Sequence, residues 1–277
     1  MGTADEAAEI DTGRPTAARM YDYYLGGRTN FPADRAAAEK VIEQIPLVPD
    51  MARTHRAWLR RAVRYVADQG VRQFLDIGSG VPTMGNVHEI AQQIAPETRT
   101  LYVDLDPVAV LHAQQLLEGN DLADAIQGDL GRPAELLRQI ETEPHLSAII
   151  DLKQPVGLIL ACVLHFIKDD QDAYSVMDTL RQSLAPGSWI VMSHASRESF
   201  ERDQMNVAEK VYARTPTPGE FRSREQVLRF FRGTELVEPG LVWTPQWRPS
   251  LDDPQLFTDH PHRAGLFCGV ARIAEPR

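Results

Sequence analysis

The chain has 277 residues, with 29 Lys and Arg against 39 Asp and Glu for a formal charge of −10, and 43% hydrophobic against 25% charged residues. These are values of a globular chain long enough for a substantial core, and they exclude wholesale disorder and a basic binder of nucleic acid or anionic membrane. Cys162 and Cys268 stand far apart without a CxxC partner, which counts against a disulfide scaffold and a structural zinc site. No stretch approaches the ~20 apolar residues of a membrane span. The polar start, residues 1–16, lacks the apolar run of a secretory signal, so the expected location is the cytoplasm.

Residues 1–15 are small and polar and are expected to form a disordered tail. Residues 16–70 read as a helical segment. A first helix over 16–25 carries Met20, Tyr21, Tyr24 and Leu25 and stops at Gly26-Gly27. A second runs from Asp34 to just before Pro46. A third starts after Asp50, read as its N-cap, and carries Trp58, Leu59, Ala62, Val63 and Val66 at helical spacing up to Gly70. From residue 71 to 277 strands and helices alternate. Strands are expected at 73–77, 100–104, 124–127, 156–161 and 188–194, with helices at 86–94, 107–117, 133–140 and 170–184. That alternation implies an α/β fold with a parallel sheet and right-handed crossovers. The run 156–163 is apolar without alternation, as a strand buried on both faces should be. A helical insert follows within 199–222, its helix at 199–214. Ser223 with Gln226 then forms a capping box opening a helix over 225–231. Two strands, 240–244 and 265–272, close the chain around the Pro- and Asp-rich loop 245–262.

The strongest local motif is Phe74-Leu-Asp-Ile-Gly-Ser-Gly-Val-Pro82, a strand entering a turn in which Gly78 and Gly80 let a ligand lie against backbone. Asp104 ends the next strand. A carboxylate there offers only acceptors, which suits the two hydroxyls of a ribose. A dinucleotide would need a third glycine at position 83 and free N–H groups for its pyrophosphate, but Thr83 stands there beside Pro82. A nucleoside cofactor without phosphates, such as S-adenosylmethionine, has no such need. Asp129, after the third strand, can accept from an adenine amino group.

Asp76-Ile-Gly-Ser-Gly80, Tyr102-Val-Asp104, Gly128-Asp129 and Leu160-Ala-Cys-Val-Leu-His165 resemble, in order, the four nucleoside-site motifs of class I S-adenosylmethionine-dependent methyltransferases. More narrowly, Ala18-Arg-Met-Tyr-Asp-Tyr-Tyr-Leu-Gly-Gly27 with Asn30, Gln73-Phe-Leu-Asp-Ile-Gly-Ser-Gly80 and Leu184-Ala-Pro-Gly-Ser188 are similar to the bacterial "S-adenosyl methyltransferase" family, whose substrates are unassigned. The broad resemblance covers about 72–272 and the narrow one nearly the whole chain. It departs from the broad pattern at Pro82, where a third glycine is common.

The resemblance implies a Rossmann-like seven-stranded mixed sheet of order 3-2-1-4-5-7-6 with strand 7 antiparallel. It implies S-adenosyl-L-methionine as cofactor. Asp76, Gly78, Ser79 and Gly80 would then flank its methionine part, Asp104 with Leu105 and Asp106 its ribose, and Asp129 with Leu130 its adenine. Cys162, Val163 and His165 would line the cleft near the sulfonium, with His165 a candidate base for an acceptor that has a proton to lose. Tyr21, Tyr24, Arg28 and Asn30 could form a lid, and His194 could face the substrate.

Each assignment has a plainer rival. The glycines could serve a tight turn alone. Asp106 reads better as a helix cap, and Asp129 could cap the next helix. Cys162 reads better as a small core residue. His194 could be structural and the tyrosines plain packing. No spacing suits a metal. A small-molecule acceptor fits the acidic charge best, with neither nucleic acid nor membrane expected as a partner, and oligomeric state is not legible. An NAD-dependent oxidoreductase and a non-catalytic S-adenosylmethionine-binding module stand as alternatives.

Overall fold

The computed structural model describes residues 11–82 and 85–274. Three helices come first: α1 (Ala17–Tyr24), α2 (Pro32–Gln44) and α3 (Val48–Asp68). Then come β1 (Gln73–Ile77), α4 (Val87–Ile94), β2 (Arg99–Asp104), α5 (Pro107–Leu116), β3 (Ala123–Gln127), α6 (Pro133–Thr142), α7 (Pro144–Ile149), β4 (Gly157–Ala161), α8 (Asp170–Ser183) and β5 (Trp189–Ala195). The chain closes with α9 (Arg202–Tyr212), α10 (Arg224–Leu228), β6 (Glu235–Leu236), β7 (Val242–Trp243) and β8 (Leu266–Arg272).

The sheet runs β3-β2-β1-β4-β5-β8-β6, with β7 also paired to β8. The first five strands are parallel and β8 is antiparallel to β5. This is the expected order, with one difference. The expected sixth strand is two short pieces, β6 and β7, both on the outer edge of β8. Pro239-Gly240 lies between them, and a proline with no N–H cannot continue the ladder.

Alternation along the strands sorts side chains into two cores. Leu75, Ile77, Leu101, Val103, Leu158 and Leu160 face α6, α7 and α8. Phe74, Tyr102, Ile159 and Val191 face α3, α4 and α5. Glycine at 157 is demanded by close packing, since a Cβ there would lie 2.6 Å from the Phe74 ring. A third core sits beyond the carboxyl ends of the strands. It joins Met20 and Tyr24 of α1, Val41 of α2, Met51 of α3, and Ala208 and Val211 of α9.

Several boundaries differ from expectation. Helix α3 begins at Val48, so Asp50 lies in its first turn rather than at its N-cap, where Pro49 suits the first positions. Helix α7 was not expected; it fits between Pro144 and β4 and buries Leu146 and Ile149. The Ser223–Gln226 capping box is present, with Gln226 Oε1 accepting from Ser223 N at 2.9 Å. Of the expected tail, residues 1–10 lie outside the described residues. Residues 11–15 form a turn in which Asp11 accepts from Gly13 N, and Arg14 donates to the carbonyls of Arg214 and Thr215.

Candidate functional site

A cavity of about 790 Å³ opens over the carboxyl ends of β1, β2 and β4, where parallel α/β sheets bind ligands, and its size suits a small-molecule site. Its floor is the turn after β1. Gly78 and Gly80 both have positive φ, +74° and +69°, a region costly for residues with a Cβ. A Cβ on Gly78 would collide with Val163, whereas one on Gly80 would meet nothing within 4 Å. Gly78 is therefore fixed by protein packing. The space over Gly80 is open to a ligand.

Two buried acids flank this turn. Asp104 accepts from Gly80 N at 2.7 Å through Oδ2 and from Asp106 N at 2.8 Å through Oδ1. Burial pushes its carboxyl up to about 6, against the pull of those backbone donors. Asp76 is raised to about 7, first by burial, with the Arg56 guanidinium pulling down and Asp104 pushing up. Two carboxyls so placed are poised to ionise when a cation or hydroxyl donors arrive.

The roof is the third core. Tyr24 and Tyr212 meet hydroxyl to hydroxyl at 3.4 Å. With Met51 and Phe200 they line the cavity from above. Helix α1 is bolted to the floor by a buried charge cluster. Thr16 Oγ1 donates to Asp106 Oδ2 at 2.5 Å. The Arg19 Nε lies 3.3 Å from Asp106 Oδ2 and 3.4 Å from Asp34 Oδ1, all three side chains being nearly inaccessible.

One wall carries a hydrogen-bonded chain. Tyr21 Oη lies 2.7 Å from His55 Nδ1. His55 Nε2 lies 2.8 Å from Ser193 Oγ. Ser193 Oγ accepts from Cys162 N at 2.9 Å. Cys162 holds a left-handed backbone, φ 57°, and burial pushes its thiol up to about 12. It is thus a neutral thiol, not a nucleophile. Burial lowers His55 to about 3, so its ring is neutral at physiological pH. His165 also lines the cavity. Its Nδ1 is buried and has no hydrogen-bond partner among the described residues, and burial holds it at about 3.

Of the residues named from sequence, Tyr21, Tyr24, Asp76, Gly78, Ser79, Gly80, Asp104, Leu105, Asp106, Asp129, Leu130, Cys162, Val163 and His165 are brought to this one cavity. Within it, Asp106 is the N-cap of α5, accepting from Val108 N at 2.9 Å. Asp129 sits at the exposed rim, where its Oδ1 accepts from Gly131 N at 2.8 Å. Three expectations need correction. His194 does not face the substrate. It is fully buried, and its Nε2 accepts from Arg222 at 3.0 Å, leaving Nδ1–H for the Ala195 carbonyl. Arg28 is exposed and outside the cavity wall. Asn30 is consumed by the α1–α2 turn, donating to Asp22 Oδ2 at 2.7 Å and to the Gly27 carbonyl.

Sequence reasoning missed His55, Arg56, Ser193, Phe200 and Tyr212. For His55 a signal existed: it lies three and four residues before Trp58 and Leu59, on the apolar face of α3. Ser193, Phe200 and Tyr212 carry no local signal, because only the chain's return places them here.

The floor suits a cationic nucleoside without phosphates. Space over Gly80, acceptor capacity on Asp104 and the ionisable Asp76 match ribose hydroxyls and an ammonium group. A pyrophosphate is disfavoured by Glu89, in the first turn of α4, whose Oε2 accepts from Gly85 N and Asn86 N. An anion at that helix start would meet a carboxylate. No cluster of metal-ligating side chains occurs among the described residues, and none of their helices is long and apolar enough to cross a membrane.

A sequence profile described as S-adenosyl methyltransferase matches residues 3–274. A provisionally assigned methyltransferase from Thermobifida fusca YX is similar in structure, with 33% identity, a TM-score of 0.86, and 99% of this chain and 100% of that one covered. A DUF574 family protein from Streptomyces avermitilis MA-4680 is similar at 36% identity and a TM-score of 0.87, over 95% of this chain and 99% of that one. No curated protein matches the chain significantly.

Proposed function

The chain belongs to the S-adenosyl methyltransferase family, and from that premise we propose that this S-adenosylmethionine-dependent methyltransferase acts on a small, largely apolar molecule held between the strand ends and the helical roof. The observation that carries the proposal is the cavity itself. Beyond the floor, its walls include Tyr24, Met51, Phe166, Phe200 and Tyr212, side chains that desolvate an apolar body.

S-adenosylmethionine, when bound, supplies a methyl carbon already activated by the sulfonium charge. The chain's own residues have the remaining tasks. Asp104 would hold the ribose with the acceptor capacity left after its bonds to Gly80 and Asp106. Asp76 would take the ammonium end, near Arg56. Leu105, Leu130 and rim Asp129 would border the adenine. Val163, seated against Gly78, and Cys162 narrow the cavity floor. The roof of α1, α2 and α9, with Tyr21 and Tyr24, would serve as a lid excluding water, so positioning supplies much of the rate. His165, the candidate base, lines the cavity as a ring that burial keeps neutral. The two free cysteines and the bacterial sources of both relatives favour a bacterial cytoplasm.

The test is a transfer assay with methyl-labelled S-adenosylmethionine against fractionated bacterial extract. Label is expected in the small-molecule fraction. Label confined to protein or RNA would overturn the choice of acceptor.

A further inference from the structure

The Tyr21–His55–Ser193–Cys162 chain has a consequence for the acceptor. Tyr21, His55 and Cys162 all belong to the cavity wall. Tyr21 has one hydroxyl hydrogen and two protein partners for it, His55 Nδ1 at 2.7 Å and the Ala52 carbonyl at 3.3 Å. If the hydrogen goes to His55, Tyr21 donates inward. If it goes to Ala52, it again points inward, and His55 Nδ1–H donates to the tyrosine oxygen. With His55 Nδ1 as acceptor, the shorter contact, the hydrogen is committed to protein and Tyr21 offers the cavity lone-pair density alone.

The arrangement is held from behind. His55 stacks on Trp58 at 5.4 Å and meets Tyr21 edge to face. Its Nε2 is tied to Ser193, which the strained Cys162 backbone secures through its N–H. A ring stacked on one face and bonded at both nitrogens cannot turn away from the tyrosine hydroxyl.

We propose that Tyr21 is a specificity-determining residue for the methyl acceptor, accepting a hydrogen bond from a neutral hydroxyl on an aromatic molecule. Hydroxyl is favoured over an aliphatic amine because such an amine arrives as a cation and would have to shed its water against the apolar rings of the roof. An aromatic body is favoured by the rings of Tyr24, Phe166, Phe200 and Tyr212 around the cavity. His55 and Ser193 are positioning residues, since they act through Tyr21. The proposal rests on the methyltransferase reading above.

The experiment is calorimetric. The protein is first saturated with S-adenosylhomocysteine, then titrated with 1-naphthol and, separately, with 1-methoxynaphthalene, which has similar shape but no donor. Wild type is expected to bind the naphthol about tenfold more tightly, the scale of one good hydrogen bond. Tyr21→Phe should bring the two ligands within about twofold while still binding S-adenosylhomocysteine. That last measurement also reports that the variant is folded. Equal affinities in wild type, a preference that survives Tyr21→Phe, or no binding of either aromatic at millimolar concentration overturns the proposal. Failure of S-adenosylhomocysteine to bind would instead strike at the methyltransferase reading itself.

Discussion

At the scale of single residues, the two glycines of the floor do different jobs. Gly78→Ala drives a methyl into Val163 on top of the positive-φ cost, so it should destabilise the fold by more than the ~1–2 kcal/mol of that cost alone. Gly80→Ala meets no atom, so its stability loss should stay near that figure. Its methyl fills the ligand's space, and cofactor binding measured by calorimetry should vanish. Unchanged affinity in Gly80→Ala would remove Gly80 from the site. Asp76 and Asp104 predict a pH dependence. Their folded values of about 7 and about 6 lie above the ordinary 3.8. The stability held by their protonated forms is therefore full below about pH 4 and is lost as pH rises through 6 and 7. Cofactor binding, which needs the ionised forms, runs the other way: S-adenosylhomocysteine affinity should weaken about ten- to a hundredfold from pH 8 to pH 5.5. Asp76→Asn should melt higher than wild type at pH 8, nearly equal it below about pH 4, and bind cofactor poorly. A flat binding profile over that range would rule out titrating acids at the site.

Among elements, the join between α1 and the β2–α5 turn matters most. Arg19 pairs with both Asp34 and Asp106 in a nearly inaccessible cluster, and Asp106 in turn gives its N–H to Asp104. Replacing a buried ion-pair partner leaves an uncompensated charge, at about 3–5 kcal/mol. Arg19→Met should therefore loosen α1, seen as faster hydrogen exchange over residues 17–24, and weaken S-adenosylhomocysteine binding although Arg19 is placed behind the ribose turn. Slow exchange with unchanged binding would show that helix and turn are uncoupled. The sequence motif from Ala18 to Gly27 gains a physical account here. Arg19 makes the clamp, Met20 fills the roof core, Asp22 holds Asn30, and a Cβ on Gly27 would strike the Asp22 carboxylate.

For the whole molecule, the roof is assembled from pieces far apart in the chain, α1 and α2 from its start and α9 from the insert after β5, sharing one apolar core. We expect the helical segment 16–70 and the α/β portion to unfold together. Tryptophan fluorescence and far-ultraviolet circular dichroism should give coincident urea transitions, and separate midpoints would mark the segment as an independent domain. The strands, the glycine turn and the floor acids were legible in the sequence because they are local, whereas the sheet order was implied by the family resemblance. A strand's apolar run, a glycine stop and an acid at a strand end occupy a few consecutive residues, and parallel crossovers have one hand. The split of the last edge strand, and the different fates of His165 and His194, were not. His194 lies near the end of β5 and His165 follows β4 on the ligand-binding side, but Arg222, 28 residues beyond His194, takes that one and leaves His165 lining the cavity. The sequence thus determined the alternating α/β class and a nucleoside site at the strand ends, and the family resemblance its motifs carry supplied the sheet order and the cofactor. Only the tertiary structure decided which side chains meet across the cavity, since burial and hydrogen-bond partnership depend on neighbours distant in the chain.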